Sequence, residues 1–232
     1  METCDSLYIL AVMGIAAMGF YYLITSNKRQ KKRLIQAGEL LFPDGSWSVE
    51  PPQHTKTSSS LGYLLRVDTE AGSLEIADRE GSRYDPDLTI IFVECDHPVH
   101  MAIMPERMRH KLAKSLRLAK ELTINIPELD DVFFFDARKE NLSGGILTNP
   151  SLAALLWLLK EDSKFQRLTF ISSETRSKKL LVPEFSITQG RPGILLQRET
   201  TLAGVQQEIL TFKQTIEALL CLKKNLAQLL AS

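Results

Sequence analysis

Cysteine is scarce in this chain, and its charges of opposite sign cancel. The three cysteines, Cys4, Cys95 and Cys221, lie far apart among 232 residues. An odd and sparse set is typical of a reducing cytosol and argues against a disulfide scaffold. Lysine plus arginine number 28, and aspartate plus glutamate also number 28. This balance removes the electrostatic argument for a nucleic-acid partner.

Specific catalytic and cofactor motifs are also missing from the sequence. No G-x-S-x-G nucleophile elbow occurs, and no P-loop lysine accompanies the Gly144-Gly145 pair. We therefore expect no cofactor and assign no catalytic residue. An enzyme whose site is assembled from distant residues would leave no such local motif, so enzymatic activity stays an open question.

One long apolar run stands near the start of the chain. Residues 7–24, LYILAVMGIAAMGFYYLI, contain no charged residue. As a helix this run would be about 27 Å long, close to the roughly 30 Å hydrocarbon core of a bilayer. A cleaved signal peptide would have a basic start and a shorter apolar stretch, whereas Glu2 and Asp5 precede this run. We predict a transmembrane anchor over residues 1–27.

A basic cluster directly after the apolar run predicts the orientation of this anchor. Basic residues next to a membrane span stay on the cytoplasmic side, so the N-terminus is expected outside and the rest of the chain in the cytoplasm. We predict a single-pass protein, of a bacterial inner membrane, whose basic residues each gain about 1 kcal/mol from anionic lipid. The predicted membrane-surface residues are Lys28, Arg29, Lys31, Lys32 and Arg33.

Residues 28–60 are predicted to be a basic juxtamembrane segment followed by a linker. After the basic cluster, Leu34 to Phe42 can continue as a short helix at the membrane surface, and Pro43-Asp44-Gly45 would end it. Ser46 to Ser60 contains adjacent prolines and a serine triplet, which are typical of linkers. Trp47 within this segment could dock on the following domain or lie at the bilayer interface.

The rest of the chain, residues 61–232, is predicted to be one cytosolic α+β domain, with two subdomains divided near residue 122 as the alternative. Short β-branched or alternating runs predict strands, and the last three of them predict an antiparallel meander. The predicted strands are Leu61–Val67, Ser73–Ala77, Leu88–Glu94, Val132–Asp136, Arg167–Ile171, Lys179–Ile187 and Ile194–Arg198.

Two helices are predicted between these strands. The first runs from Pro105 to about Leu122, and its basic side faces either solvent or an acidic partner or lipid head groups. That side consists of Arg107, Arg109, Lys111, Lys114, Arg117 and Lys120. The second helix, SLAALLWLLKED, begins after an Asn149 N-cap with Pro150 in its first turn. Because it is apolar on most of its circumference, we expect it to lie buried against a sheet.

A long C-terminal helix is predicted from about Leu202 to Leu230. Apolar residues repeat in it at spacings of four and three, with an interruption at Lys223. They are Val205, Ile209, Phe212, Ile216, Leu219, Leu226 and Leu230. Packing on the sheet is the first interpretation, and a coiled coil that joins two copies into a homo-oligomer is the second.

The segment from Cys95 to His100 is where the sequence gathers metal-ligand residue types. A thiolate and two imidazoles, from Cys95, His97 and His100, are suitable zinc ligands. Their spacing matches no specific zinc motif, and no second cysteine pair completes a tetrahedral site. We expect Cys95 to be a core residue at a strand end, and a metal site is the alternative.

Residues Ile124 to Phe170 carry a further resemblance. VFFFDA, then GGILTNPSLAALLWLL, then a strand is similar to an uncharacterised bacterial family of membrane-anchored cytosolic domains. The family has no established activity, so the resemblance implies an anchored domain without assigning site residues. We expect a non-enzymatic interaction or scaffold module that contacts the lipid bilayer and another protein. An enzyme or metal-binding domain that uses Cys95, His97 and His100 is the alternative.

Overall fold

The protein is α+β, as the sequence predicts. Its structure, a computed structural model, describes residues 2–51, 63–70, 72–79, 86–97, 99–107, 122–137, 145–172, 191–200 and 208–231. The described helices are α1 (Glu2–Leu41), α2 (Pro127–Asp130), α3 (Pro150–Glu161) and α4 (Ile209–Ala231). The described strands are β1 (Ser46–Glu50), β2 (Leu64–Thr69), β3 (Gly72–Arg79), β4 (Leu88–Glu94), β5 (Met101–Pro105), β6 (Phe133–Ala137), β7 (Phe165–Ile171) and β8 (Gly193–Arg198).

All eight strands form one sheet in the order β1-β2-β3-β4-β8-β7-β5-β6. Every neighbouring pair is antiparallel. Strands from both sides of residue 122 belong to this sheet, since β5 pairs with β6. The predicted meander is wrong in its order, because β7 pairs directly with β8 and no third strand lies between them. Residues 179–187, the middle strand of that prediction, lie outside the described residues.

Helix α1 is a single element of forty residues. The segment from Leu34 to Phe42, predicted to continue as a short helix, is thus part of α1 itself up to Leu41. The physical reason is that no proline or glycine stands between Gly19 and Gly38, so nothing in the backbone interrupts the helix. Its end at Leu41, ahead of Pro43, agrees with the prediction. Counted over the side chains that the structure describes, no helix is long and apolar enough to cross a membrane.

The first residues of the predicted linker form an edge strand instead. β1 pairs with β2 from Ser46 opposite Asp68 to Glu50 opposite Leu64. Trp47 docks on the domain, with its ring against Gly38 of α1, where an added Cβ would lie 2.7 Å from a ring carbon. The linker composition did not reveal this because a five-residue strand leaves little periodicity to read. Residues 52–60 lie outside the described part of the chain.

The predicted start of α3 is confirmed, and the predicted start of the basic helix at Pro105 is wrong. The Asn149 side chain accepts a hydrogen bond from the Ser151 backbone N–H at 2.9 Å, and Pro150 is the first helical residue. Pro105 ends strand β5 and does not open a helix. Residues 108–121, which carry most of the predicted basic side, lie outside the described residues.

The two faces of the sheet differ in what covers them. The main core lies between one face and the helices, and it includes Leu34 of α1, Leu155 of α3 and Phe212 of α4. The other face carries a second cluster of buried side chains: Leu64, Ala77, Ile90, Phe92 and Leu195. Alternate residues of β3 and β4 therefore contribute to different clusters, as the two-residue period of a strand requires.

Helix α4 directs its predicted apolar stripe into the main core. Phe212, Ile216, Leu219 and Leu226 are all buried there. The predicted apolar repeat is interrupted at Lys223, and the neighbouring Leu222 is the residue that is buried at this point of the helix. The described residues on the opposite side of α4 include Gln214, Glu217, Lys224 and Gln228, all exposed. The stripe thus serves packing within this chain, which was the first interpretation of its pattern.

Candidate membrane-facing surface and the Cys95 segment

The N-terminal half of α1 exposes large apolar side chains. Within residues 13–24, every side chain that the structure describes is exposed. The exposed fractions are 64% for Met13, 67% for Ile15, 68% for Met18, 73% for Tyr21 and 40% for Ile24. Single exposed apolar residues are ordinary, but five large ones exposed within one helical segment are not. We call residues 13–24 the apolar segment of α1.

The C-terminal half of the same helix is packed into the domain. Leu34, Ala37 and Leu41 are nearly fully buried in the main core. These three positions recur at intervals of three and four, so they form one stripe along the helix. We call residues 30–41 the docked segment of α1. The two segments are continuous, and no linker separates them.

Four of the five predicted membrane-surface residues point outward at the junction between these segments. Lys28, Arg29, Lys31 and Lys32 are exposed. Arg33 is different, because its Nε lies 3.0 Å from the Oδ2 of Asp78, whose side chain is fully buried. A buried carboxylate is costly unless a cation or hydrogen bonds accompany it. We therefore assign Arg33 to the attachment of α1 to the sheet, which the basic run alone could not reveal.

Gln30 adds neutral hydrogen bonds to this attachment. Its side chain donates to the backbone carbonyl of Asp78 and accepts from the backbone N–H of Tyr63 at 3.2 Å. The Lys31 Nζ lies 5.6 Å from the centre of the Tyr63 ring. We call Gln30, Arg33, Tyr63 and Asp78 the α1 joint. No local pattern predicts the joint, since Gln30 stands among charged residues in KRQKKR.

Cys95 is buried directly after strand β4. Its exposed fraction is 6%, and burial raises the pKa of the thiol, while the nearby Lys223 lowers it. The thiol lies 3.7 Å from the backbone carbonyl oxygen of Asp96. A thiol with a raised pKa stays protonated at neutral pH, and the protonated form is a poor nucleophile and a poor metal ligand. This environment agrees with the expected core role.

His97 is also buried, and one ring nitrogen is engaged by the backbone. Its Nε2 lies 3.1 Å from the carbonyl oxygen of Gly193, so Nε2 carries the proton and donates. Its ring meets Phe170 edge-to-face at 5.6 Å. Burial lowers the pKa of His97, against smaller raising effects of the backbone at Gly193 and Val99 and of Asp96. A neutral imidazole in this position ties the segment after β4 to the start of β8.

The predicted zinc ligands have separate environments in the structure. Cys95 and His97 are buried in the contacts above, and His100 is partly exposed. Among the residues that the structure describes, no three or more histidine, cysteine or acidic side chains are grouped as a metal would need. Sequence proximity did not produce a common site, because the chain turns between the end of β4 and the start of β5.

A buried charge cluster that the sequence did not predict joins β8 to two helix ends. The almost fully buried Arg198 donates to Asp162 at 2.5 and 3.0 Å and to Glu208 at 3.1 Å, while Lys164 reaches Glu208 at 2.6 Å. Burial lowers the pKa of Arg198, but the hydrogen bonds and negative charges of Asp162 and Glu208 together outweigh it and raise the pKa above its ordinary value. The guanidinium also lies over Phe212, 5.3 Å from the ring centre.

A second ion network crosses the sheet face that lies away from the helices. Arg66 reaches Glu50 at 2.7 Å and Glu75 at 2.8 Å, and Arg191 reaches Glu75 at 2.6 Å and Glu94 at 3.0 Å. Glu75 is almost fully buried between the two arginines. A glutamate inside the apolar run of β3 indicates that a cationic partner is needed. The sequence does not show which arginine is that partner.

Both networks join strands or helix ends that are distant in sequence, so we assign them to structure. They account for five of the described acidic side chains and four of the described basic ones. Among the described residues, five of the eight exposed large hydrophobic side chains lie in the apolar segment of α1, with exposed basic residues beside it. No protein-family model and no curated protein matches this chain.

Proposed function

We propose that this chain is a single-pass membrane protein whose domain is a non-enzymatic interaction or scaffold module. The apolar run of residues 7–24 in α1 spans the bilayer, the N-terminus lies outside, and the domain lies on the cytoplasmic side, in the inner membrane of a bacterium. The observation that carries the proposal is the exposure of Met13, Ile15, Met18, Tyr21 and Ile24 on a continuous helix. A bilayer would remove these side chains from water, which nothing in the described part of the domain does.

The charge distribution along α1 supports the orientation. Lys28, Arg29, Lys31 and Lys32 are exposed at the domain side of the apolar segment, and Glu2 and Asp5 stand at the other side. Because basic residues remain in the cytoplasm, the domain side is the cytoplasmic side. Arg33 adds to the same charge asymmetry but is held by Asp78.

A reporter fusion at the C-terminus tests location and orientation together. The intact chain should remain in the membrane pellet after alkaline extraction, and an enzyme reporter that works only in the cytoplasm should be active. Replacing Lys28, Arg29, Lys31 and Lys32 by Gln should weaken the orientation preference, while Arg33 is kept so that the joint stays intact. Release of the chain by alkaline extraction, or activity only of a reporter for the outer side, would contradict the proposal.

The scaffold role rests on how the described charged and nucleophilic side chains are used. The buried arginines and acids are committed to ion pairs that hold the fold, and the Cys95 thiol is buried and protonated. Trp157 of α3, 42% exposed and stacked on Lys160, is a side chain of the kind that protein partners favour. Capture of partners from detergent extract, compared between the wild type and Trp157→Ser, tests this role. Turnover of a substrate by the purified chain, abolished by a substitution that leaves it folded, would contradict it.

A further inference from the structure

The contacts of helix α1 with the sheet determine the direction of the strands relative to the helix axis. In the docked segment, Gln30 contacts Tyr63 and Asp78, and Gly38 contacts Trp47. Eight helical residues cover about 12 Å. On the sheet, Tyr63 is four residues from Val67, which lies opposite Trp47, and four strand residues cover about 13 Å. Because these lengths agree, α1 runs nearly parallel to β2.

One edge of the sheet therefore faces the direction from which α1 arrives. Tyr63 precedes β2, Arg79 lies opposite Leu88, and Thr89 lies opposite Arg198. These strand ends therefore lie side by side at the same end of the sheet. We call this the proximal edge. The distal edge is formed by the other strand ends, where Thr69 lies opposite Gly72 and Glu94 lies opposite Gly193. Strand β3 has eight residues, so the edges are about 23 Å apart.

The distance between the apolar segment and the proximal edge is short. Ile24 ends the apolar run, and Gln30 already touches the edge at Tyr63 and Asp78. Six helical residues span about 9 Å, and a typical helix tilt of about 20° shortens this by about 0.5 Å. The headgroup layer on each side of a bilayer is about 6 Å thick. The helix leaves almost no space between the headgroups and the sheet.

A further apolar side chain lies near this edge. Leu210 is 74% exposed, at the start of α4. It follows Glu208 by two residues, and Glu208 contacts Arg198 at the proximal edge. Apolar side chains at this level can enter the boundary between headgroups and acyl chains, which offsets the cost of exposing them to water.

We propose that the proximal edge of the sheet rests directly on the headgroups of the bilayer, with the strands standing along the membrane normal. The occupant of this surface is the lipid layer itself. The inference deepens the proposed function, on which it rests, because it replaces a tethered domain by one held in a fixed orientation. It leaves the distal edge, near Thr69, Gly72, Glu94 and Gly193, as the end that faces the cytoplasm.

Lipid-induced quenching at matched positions tests this orientation. Glu199, beside the proximal edge, and Glu70, at the distal edge, are both exposed glutamates and supply a matched pair. Each is changed to Cys and labelled with a fluorophore in a chain that also carries Cys4→Ser and Cys221→Ser. The buried Cys95 is kept, and the unsubstituted background measures its labelling. The full chain is placed in nanodiscs of phosphatidylcholine and phosphatidylglycerol that contain a headgroup nitroxide lipid.

We expect strong loss of fluorescence at Glu199→Cys and little or none at Glu70→Cys. A flexible glycine-serine insertion between Ser26 and Asn27 should reduce the loss at Glu199→Cys while the chain stays in the nanodisc. Equal quenching at both positions in an anchored chain would overturn the orientation but leave the anchoring intact. A chain that is absent from the nanodisc fraction would overturn both.

Discussion

The two segments of α1 belong to one helix but have opposite surroundings. In the apolar segment Met13, Ile15 and Met18 are exposed by about two thirds, whereas Leu34 in the docked segment is fully buried. Both are apolar, so hydrophobicity alone does not distinguish them. The difference is in distribution: the docked segment has an apolar stripe on one side, and the apolar segment has no polar side at all. A stripe packs on a protein surface, while a helix that is apolar all round is typical of a protein core or of a membrane span.

The largest expected effect comes from placing charge in the apolar segment. The double variant Ile15→Arg with Met18→Arg should move the chain from the membrane pellet to the supernatant, because each arginine near the centre of a span costs about 2.5 to 3.5 kcal/mol. The matched control is Gln36→Arg with Leu40→Arg, two exposed positions on the docked segment. Fractionation after alkaline extraction measures the difference. Equal behaviour of the two double variants would show that the segments do not differ as described.

A cavity in the docked segment should have the next largest effect, this time on the stability of the domain. Leu34→Ala removes a fully buried side chain and should lower the free energy of unfolding by about 2 to 5 kcal/mol. Met18→Ala, on the exposed segment, should leave it nearly unchanged. Urea unfolding of the full chain in detergent, followed by tryptophan fluorescence, measures both. A comparable loss in the two variants would mean that the apolar segment also packs on the domain.

Removing the cation of the α1 joint should lower the free energy of unfolding by somewhat less than the Leu34 cavity does. Arg33→Ala deprives the buried Asp78 carboxylate of the guanidinium at 3.0 Å. Because the Arg33 side chain is 20% exposed and water can approach the site, we expect a loss of about 2 kcal/mol in the free energy of unfolding. Lys32→Ala, which removes an exposed neighbour of the same charge, should change it little. If the two variants lose stability equally, the ion pair does not attach α1 to the sheet.

The smallest effect concerns pH and should be independent of α1. Burial lowers the pKa of His97 below its ordinary value of 6.5, so the unfolded chain binds a proton more readily than the folded one. The contribution of His97 is therefore complete above pH 6.5 and is lost as the pH falls below it. His97→Gln should flatten this part of the stability profile, and the same flattening should be seen in the Leu34→Ala background. An unchanged profile would contradict the burial of a neutral imidazole.

The sequence predicted local features better than distant pairings. Asn149 and Pro150 locate the start of α3 because a cap and its helix are adjacent, and LTIIFVE gives the bounds of β4 because every residue is apolar or β-branched until its last. The strand order could not be predicted, since it depends on pairings such as β4 with β8 across about a hundred residues. Composition misled at Ser46–Glu50, where a short strand resembles a linker.

The candidate surface was predicted only in part, for a related reason. The apolar run and the basic residues after it are local patterns, and four of the five basic residues do lie outward. Arg33 could not be distinguished from Lys32 by sequence, because its role depends on Asp78, which is 45 residues away. The same holds for Glu75 and Arg191, whose contact depends on the fold.

The accessibility of cysteines along α1 to a water-soluble reagent shows whether the helix lies in the bilayer. Single cysteines at Met13, Met18 and Tyr21 in the apolar segment, and at Lys28 and Lys32 beside it, would be placed in the chain with Cys4→Ser and Cys221→Ser and treated with a membrane-impermeant maleimide in intact nanodiscs. If α1 spans the bilayer, the first three stay unlabelled until detergent is added, while the last two are labelled at once. Immediate labelling at all five positions, in a chain that is associated with the nanodisc, would contradict it.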